Sequence, residues 1–152
     1  MQTRRETLRQ GALAASVLTA GSLLSQPALA FNKAAFDGKQ MADAFKALGV
    51  SGSPTESKDV TLTAPDIAEN GAVVPMTVAT TLPNVKEMLL IVEKNPAPLV
   101  ALFNVSPEVE ANFATRAKMG QSSDVYAVAV TTDGKALYAK KEVKVTLGGC
   151  GG

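Results

Sequence analysis

The chain has 152 residues, the size of one domain, and its 46% hydrophobic and 19% charged content is ordinary for a globular core. Its 15 basic and 14 acidic side chains nearly cancel, which excludes the strongly basic surface of a protein that binds nucleic acid or an anionic membrane. The sequence contains no histidine, so Cys–His and Ser–His–Asp catalysis and imidazole metal sites are excluded as well. We therefore expect a small non-catalytic protein with no metal and no cofactor.

Residues 1–30 have the layout of an export signal that is removed from the mature protein. Their apolar stretch, residues 11–24, is too short to anchor the chain in a bilayer. Ala28 and Ala30 supply the small side chains that are required at the cleavage position. Removal of this segment would leave 12 basic and 13 acidic groups and no membrane anchor. The bacterial periplasm is the expected location.

The polar start of this signal contains the pair Arg4-Arg5. Two arginines ahead of a mildly apolar stretch are typical of the twin-arginine signal, which directs the export of folded proteins. Thr7 departs from that pattern, because a bulky apolar residue is usual two places after the second arginine. The sequence predicts twin-arginine export and leaves an ordinary secretory signal as the alternative.

The mature chain begins with a pattern typical of one short amphipathic helix over residues 36–48. Gly49 is placed to end this helix. The apolar side chains at helical spacing are Met41, Ala44, Phe45 and Leu48. A turn-rich stretch over residues 51–54 then separates the helix from the remainder of the chain.

From residue 59 onward, runs of β-branched and apolar residues are interrupted by turn signals, which is typical of strands. We predict six or seven strands, over residues 60–63, 73–80, 87–93, 99–105, 111–118, 125–131 and 136–146. Asp133-Gly134 predicts a two-residue hairpin between the last two strands. Short strands without helices between them favour an antiparallel arrangement. The predicted fold class is therefore mainly β, an immunoglobulin-like antiparallel β-sandwich with a short N-terminal α-helix.

Two of these strands carry more specific expectations. In residues 73–80, every second side chain from Val74 to Val78 is apolar, which predicts one buried face, and Pro75 indicates an edge or a bulge. Residues 88–92 are apolar without alternation, so both faces of that strand need to be covered. The second observation favours a partner subunit that covers one of these faces.

The end of the chain carries its one cysteine between glycines: Gly148, Gly149, Cys150, Gly151 and Gly152. Free structural cysteines hide in cores, whereas this thiol has only glycines around it. In an oxidising compartment a lone cysteine indicates an intermolecular disulfide or a thiol with a function. Glycines are slim and conformationally permissive, so they would let the thiol enter a narrow channel in a partner. We predict a carrier domain over residues 31–147 and a flexible carrier arm over residues 148–152.

This tail, the segment Ile-Ala-Glu-Asn-Gly-Ala-Val-Val-Pro over residues 67–75 and the twin-arginine-like leader resemble the SoxY family. Members of that family are the carrier subunits of the periplasmic thiosulfate-oxidising Sox system, and the similarity covers essentially the whole mature chain. The resemblance implies that Cys150 carries the sulfur substrate and that the four tail glycines form the arm. It also implies a heterodimer with a SoxZ-like subunit that is exported together with its partner.

The resemblance implies further partners that perform the chemistry. A c-type cytochrome would join thiosulfate to the cysteine, a hydrolase would release the terminal sulfone as sulfate, and a sulfane dehydrogenase would oxidise the sulfur that remains. The chain would hold the intermediates without catalysing any of these steps.

Two other classes of protein fit parts of the sequence. Ubiquitin-like carriers also end in Gly-Gly and carry sulfur as a thiocarboxylate, here on Gly152, but they need ATP, which the periplasm does not supply. The export leader therefore counts against them. An exported structural or adhesion sandwich would instead use Cys150 for an intermolecular disulfide. Small sulfur adducts on the thiol would distinguish a carrier from such a protein.

Overall fold

The computed structural model describes residues 32–146, which form two short helices and nine strands. The helices are α1 (Lys33–Asp37) and α2 (Met41–Ala47). The strands are β1 (Thr55–Glu56), β2 (Val60–Thr63), β3 (Ile67–Ala68), β4 (Val74–Thr80), β5 (Val85–Val92), β6 (Leu99–Asn104), β7 (Asn112–Ala117), β8 (Ser123–Thr131) and β9 (Ala136–Val145). The predicted leader, residues 1–30, and the predicted arm, residues 148–152, lie outside the described residues.

The strands form two sheets that enclose one core. The larger sheet has the order β1-β9-β8-β5-β6, with β3 as a further neighbour of β9, and the smaller has the order β2-β4-β7. Apolar side chains from β4, β5 and β8 meet between the sheets. Neighbouring strands are antiparallel except for the two short strands β1 and β3, which run parallel to β9. The predicted immunoglobulin-like sandwich is confirmed.

All seven predicted strands are present, and their ends lie within two residues of the predicted ones. In β4, Val74, Met76 and Val78 are at most 2% exposed, so the predicted buried face is confirmed. Pro75 lies where β4 extends beyond β2, which pairs only with residues 77–80 of β4. The prediction of an edge position for this proline is therefore confirmed too, because no strand on that side needs its missing N–H.

The hairpin between β8 and β9 is present, but the hydrogen-bonded pair Thr131 and Lys135 encloses three loop residues rather than two. Thr131 N–H donates to the Lys135 carbonyl at 2.9 Å, and Gly134 N–H donates to the Thr131 carbonyl at 3.0 Å. Gly134 has a φ of +83°, whereas Asp133 has no positive φ. A loop of this length needs only its last residue in the left-handed region. The Thr131 hydroxyl and then Lys135 bind the Asp133 carboxylate and lower its pKa to about 2.

Gly134→Ala is expected to lower the free energy of unfolding by about 1–2 kcal/mol, because an alanine at this φ is strained. The new Cβ would also lie 3.3 Å from the hydroxyl oxygen of Ser51. Denaturant unfolding measures the difference. Gly120→Ala is the matched control, since it has neither a positive φ nor an atom within 4 Å of the new Cβ. An equal loss in both variants would contradict the argument from φ.

The single helix predicted over residues 36–48 is wrong, because the chain forms two helices there. At Gly38 the backbone has a ψ of 140°, which ends α1. A side chain at Gly38 would place its Cβ 2.8 Å from the Cβ of Asp43, so the close approach also requires glycine. The Asp43 carboxylate accepts the backbone N–H groups of Lys39 and Gln40 at 3.0 Å each and thereby starts α2. Within residues 32–146 no helix is long and apolar enough to cross a membrane.

Strand β5 is covered on both faces by other parts of the same chain. Its fully buried side chains are Met88, Leu90 and Val92 towards the sandwich core and Leu89 and Ile91 on the opposite face. The opposite face packs in one cluster with buried side chains of the helices, among them Ala35 and Ala44. The inference that residues 88–92 need a partner subunit to cover them is therefore wrong, because the helices cover them. The strand gives no support for a partner.

Candidate functional site

The candidate site is at the end of β9, where the chain continues into the tail that carries the cysteine. Cys150 and the four tail glycines lie outside the described residues, as do the predicted export residues Arg4, Arg5, Ala28 and Ala30. The structure therefore describes the base of the predicted arm, up to Thr146. We call residues 144–146 the arm root.

The arm root is held by backbone hydrogen bonds to β3 and the residues next to it. Lys144 N–H donates to the Asp66 carbonyl at 3.0 Å, and Thr146 N–H donates to the Ala68 carbonyl at 3.1 Å. This parallel pairing gives β9 a second neighbour at its end, opposite β8. The chain is thus in a defined position one residue before Leu147.

Two side-chain hydroxyls complete this anchoring. Ser122 Oγ accepts the backbone N–H of Val145 at 2.9 Å. The Thr146 hydroxyl donates to the Glu69 carbonyl at 3.4 Å, a long contact at the edge of hydrogen-bond range. All three backbone N–H groups of the arm root therefore have acceptors among the residues that the structure describes.

An ion pair lies beside the arm root. Lys141 Nζ is 2.9 Å from Asp66 Oδ1 and donates to the Ala64 carbonyl at 2.6 Å. The hydrogen bond from Lys141, and then its charge, lower the pKa of Asp66 below its usual value. Because the folded-state pKa is lowered, any stabilisation from this pair is present above the ordinary aspartate pKa and is lost as the pH falls through the lowered one. Asp66 is exposed, so solvent screens the pair strongly.

The segment that holds the arm root also exposes two large apolar side chains. Ile67 is 57% exposed and Val73 is 53% exposed. Between them the chain makes a tight turn, in which Ala72 N–H donates to Asn70 Oδ1 at 2.9 Å. The Gly71 carbonyl accepts the N–H of Met119 at 2.7 Å, which ties the turn to the sandwich.

An open groove lies nearby, between the end of β2, Pro65 and the strands β4 and β7. Arg116 is the one ionisable side chain among the residues that line it. The lining has threonine hydroxyls but no carboxylate, imidazole or thiol beside them that could act as a general base. In the part of the chain that the structure describes, no three His, Cys, Asp or Glu side chains come together as a metal site.

The sequence singled out the tail but not the residues that hold its base. Ser122, Thr146 and Asp66 act through hydrogen bonds between segments far apart in the chain, and no local pattern marks them. Among the residues around the arm root, only the segment 67–75 was marked in the sequence, because it forms part of the resemblance to a known family. The structure places this segment beside the arm root.

Comparison with known proteins identifies relatives of the chain. Residues 45–150 match the model of the family described as "Sulfur oxidation protein SoxY". The fold is similar to the sulfur carrier protein SoxY from Chlorobium limicola f thiosulfatophilum, at 36% identity and a TM-score of 0.64, over 71% of this chain and 97% of that one. A superoxide reductase (neelaredoxin) from Ignicoccus hospitalis, at 16% identity and a TM-score of 0.51 over 57% of this chain and 78% of that one, shares the fold alone. No curated protein matches the chain.

The chain is an immunoglobulin-like sandwich and is 36% identical to a sulfur carrier over nearly that protein's whole length. It therefore belongs to the class of sulfur carrier proteins. The match to the family model is equally broad and extends through residue 150. The chain belongs to the SoxY family, the sulfur carriers of the Sox sulfur-oxidation system. The resemblance noted from the sequence is thereby confirmed.

Proposed function

We propose that this chain is a periplasmic carrier that holds thiosulfate-derived sulfur on Cys150 and presents it to the Sox enzymes without catalysing a step itself. The observation that carries the proposal is the family match, which ends at Cys150. It is supported by the arm root, because a thiol four residues beyond the anchored Thr146 is well placed to be handed from one enzyme to another.

The loading step forms one S–S bond between the sulfur of Cys150 and the outer sulfur of thiosulfate. The thiol releases its proton to solvent, and two electrons pass to the c-type cytochrome, so a thiosulfonate remains on the cysteine. The hydrolase then breaks the bond between the sulfonate sulfur and its neighbour. Water supplies the oxygen of the sulfate that leaves, a persulfide stays on Cys150 and one proton is released. The sulfane dehydrogenase acts on the sulfur that remains.

The enzymes, rather than the carrier, must activate the thiol. An unperturbed cysteine has a pKa of about 8.5 and is only a few per cent thiolate at neutral pH. The nearest cation in the sequence is Lys144, which lies six residues before Cys150, and no histidine exists in the chain. An unactivated thiol suits a carrier, because it limits side reactions on the way between enzymes. The carrier would act as a heterodimer with a SoxZ-like subunit.

Intact-mass spectrometry of the protein purified from its native periplasm tests this proposal. We expect a chain that lacks residues 1–30 and that gains the mass of one –S–SO₃ group after incubation with thiosulfate and the oxidised cytochrome. Reduction should remove the adduct, and peptide mapping should place it on Cys150. A disulfide-linked dimer that takes up no sulfur adduct would instead favour the structural or adhesion protein.

Replacement of Arg4 and Arg5 by lysines is expected to leave unprocessed precursor in the cytoplasm, because the twin-arginine route recognises the arginine pair itself. Immunoblotting of periplasmic and cytoplasmic fractions measures the distribution. Replacement of Arg9 by lysine is the control and should not alter export. Normal export of the double variant would point to the ordinary secretory route and would leave the carrier role intact.

Replacement of Gly148 and Gly149 by leucines is expected to reduce turnover by the cytochrome and the hydrolase at least tenfold, because bulky side chains hinder entry into a recessed active site. Labelling of Cys150 by a maleimide should stay near normal, since a small reagent needs no such entry. The two rates are compared on the same preparation. Small and equal effects on both would exclude the mechanism in which the arm enters a channel.

A further inference from the structure

Strand β6 lies at one edge of the larger sheet. Among residues 32–146 it pairs with β5 alone, so its other side has no neighbouring strand there. Its sequence, Leu-Val-Ala-Leu-Phe-Asn over residues 99–104, contains no charged side chain and no proline. Edge strands of soluble proteins commonly carry such residues, because they prevent another strand from pairing with the open side. Strand β6 is therefore an edge without these protections.

The other edge strands differ from β6. In the smaller sheet, β7 carries the exposed Arg116 and β2 exposes Thr61 and Thr63. At the far side of the larger sheet, β1 and β3 have two residues each. By contrast, all four side chains from Val100 to Phe103 in β6 are apolar and half-buried. In the described part of the chain, β6 is thus the edge best suited to accept another strand.

The backbone groups of β6 alternate between its two sides. Val105 N–H donates to the Lys86 carbonyl at 2.9 Å. In an antiparallel pair every second residue bonds to the same neighbour, so the odd-numbered residues from 101 to 105 bond to β5. The N–H and C=O groups of Leu102 and Asn104 therefore point away from β5. They present a regular row of donors and acceptors at the open side.

This row is complementary to a second copy of itself. When two β6 strands run antiparallel about a twofold axis at Phe103, Leu102 of one copy lies opposite Asn104 of the other. Each of these facing pairs exchanges both of its N–H to C=O hydrogen bonds. No like charges oppose each other, because β6 has no charged side chain.

The same register brings aromatic rings together. Phe103 packs against the core between the sheets and stacks on Phe113 of β7, with ring centroids 4.6 Å apart and ring planes 2° from parallel. Both rings are half-buried. At the twofold axis the two copies of Phe103 face each other in a pair without hydrogen bonds, where side chains approach most closely. Aromatic pairs of this kind stabilise antiparallel sheets.

We propose that two copies of this chain associate through antiparallel pairing of β6 with β6, so that the larger sheet continues from one copy into the other. The occupant is a second copy because the edge supplies its own complement: Leu102 matches Asn104, and Phe103 meets itself. The contact is small, so we expect a weak dimer that forms at micromolar concentration. The proposal does not depend on the carrier function.

The test uses the processed protein purified from the periplasm, together with any subunit that copurifies. Sedimentation equilibrium over a series of micromolar concentrations should show the particle mass doubling, and it gives Kd for the association. Amide exchange at Leu102 and Asn104 should slow as the concentration rises, because pairing protects both N–H groups. A reducing agent is present throughout, since a disulfide through Cys150 would also join two chains.

Asn104→Pro separates pairing at the edge from the fold. Proline removes an N–H that points away from β5, so the bonds between β5 and β6 are kept, and Asn104 is exposed. We expect Kd to rise at least about tenfold, because each copy loses a donor and gains a ring at the contact. Asn104→Ala is the matched control, since it shortens the same side chain and keeps the N–H. It should keep the wild-type Kd.

Each outcome supports or overturns the pairing of two copies. A particle mass that does not change with concentration, or an Asn104→Pro variant with the wild-type Kd, would overturn it. So would rapid exchange of the Leu102 and Asn104 amides in a particle with two copies, because the contact would then lie elsewhere. Protection of both amides in a particle with one copy and a different subunit would assign the edge to that subunit. The exchange measurement needs no variant, so it decides the matter even if proline disturbs β6.

Discussion

Cys150→Ser is expected to abolish thiosulfate loading and every later step of sulfur oxidation. Serine cannot form the S–S bond on which the carrier chemistry depends. The free energy of unfolding should change by less than about 0.5 kcal/mol, because position 150 follows the end of β9 in the sequence and has only glycines next to it. Intact-mass spectrometry measures the loading, and denaturant unfolding measures the stability.

Wild-type protein in which a maleimide blocks Cys150 is the chemical control for this variant. It should be equally inactive as a carrier, with the same far-UV circular dichroism. Thiosulfate oxidation that continues in the Cys150→Ser protein would end the carrier hypothesis. A large loss of stability would show that the tail packs against the sandwich, contrary to the role of a presented arm.

Leu89→Ala is expected to lower the free energy of unfolding by about 2–5 kcal/mol, the range for deleting a large buried side chain. Leu89 is 0% exposed and lies on the face of β5 that the two helices cover, in one cluster with Ala44 and Val128. The loss should appear in the chain without its partner subunit. Denaturant unfolding followed by circular dichroism measures it.

Ile67→Ala is the matched control, because it removes similar atoms from a side chain that is 57% exposed. It should change the free energy of unfolding by less than about 0.5 kcal/mol. A loss below about 1 kcal/mol for Leu89→Ala would mean that the helices do not pack on the sheet in solution. The face would then be open to a partner, as the sequence alone had suggested.

The fold was largely predictable because its strands are long enough to carry a pattern. The alternation of Val74, Met76 and Val78 corresponds directly to a buried face, and Asp133-Gly134 corresponds to a hairpin. The length of that hairpin loop was not predictable, since it depends on which residue of the pair takes the positive φ.

Other features depend on tertiary contacts that no local pattern reports. Strands β1 and β3 have two residues each, too short for any period, and exist because β9 offers an edge on which to pair. The break at Gly38 reflects the close approach of Asp43. A strand that is apolar on both faces predicts that something covers it, but the pattern does not distinguish the chain's own helices from a second subunit.

The sequence singles out a candidate residue but not its surroundings. A lone thiol among glycines predicts that Cys150 is the residue that carries sulfur, and this stays a prediction. The position of the arm root follows from the pairing of β3 with β9. That pairing joins residues 77 positions apart in the chain, and contacts of this kind are not encoded in local sequence.

The pairing of β9 fixes the point from which the proposed carrier arm extends. Residues 136–143 pair with β8, and on the other side residues 137–138 pair with β1 and residues 144–145 with β3. The amide hydrogens in these bonds exchange with solvent only when the sheet opens locally. We therefore expect the amide hydrogens of Lys144 and Thr146 to be protected from exchange. The reach of the proposed carrier thiol from this base is limited by the four residues that lead from Thr146 to Cys150. If the carrier role holds, the effective concentration of the thiol at an enzyme's active site depends on their number.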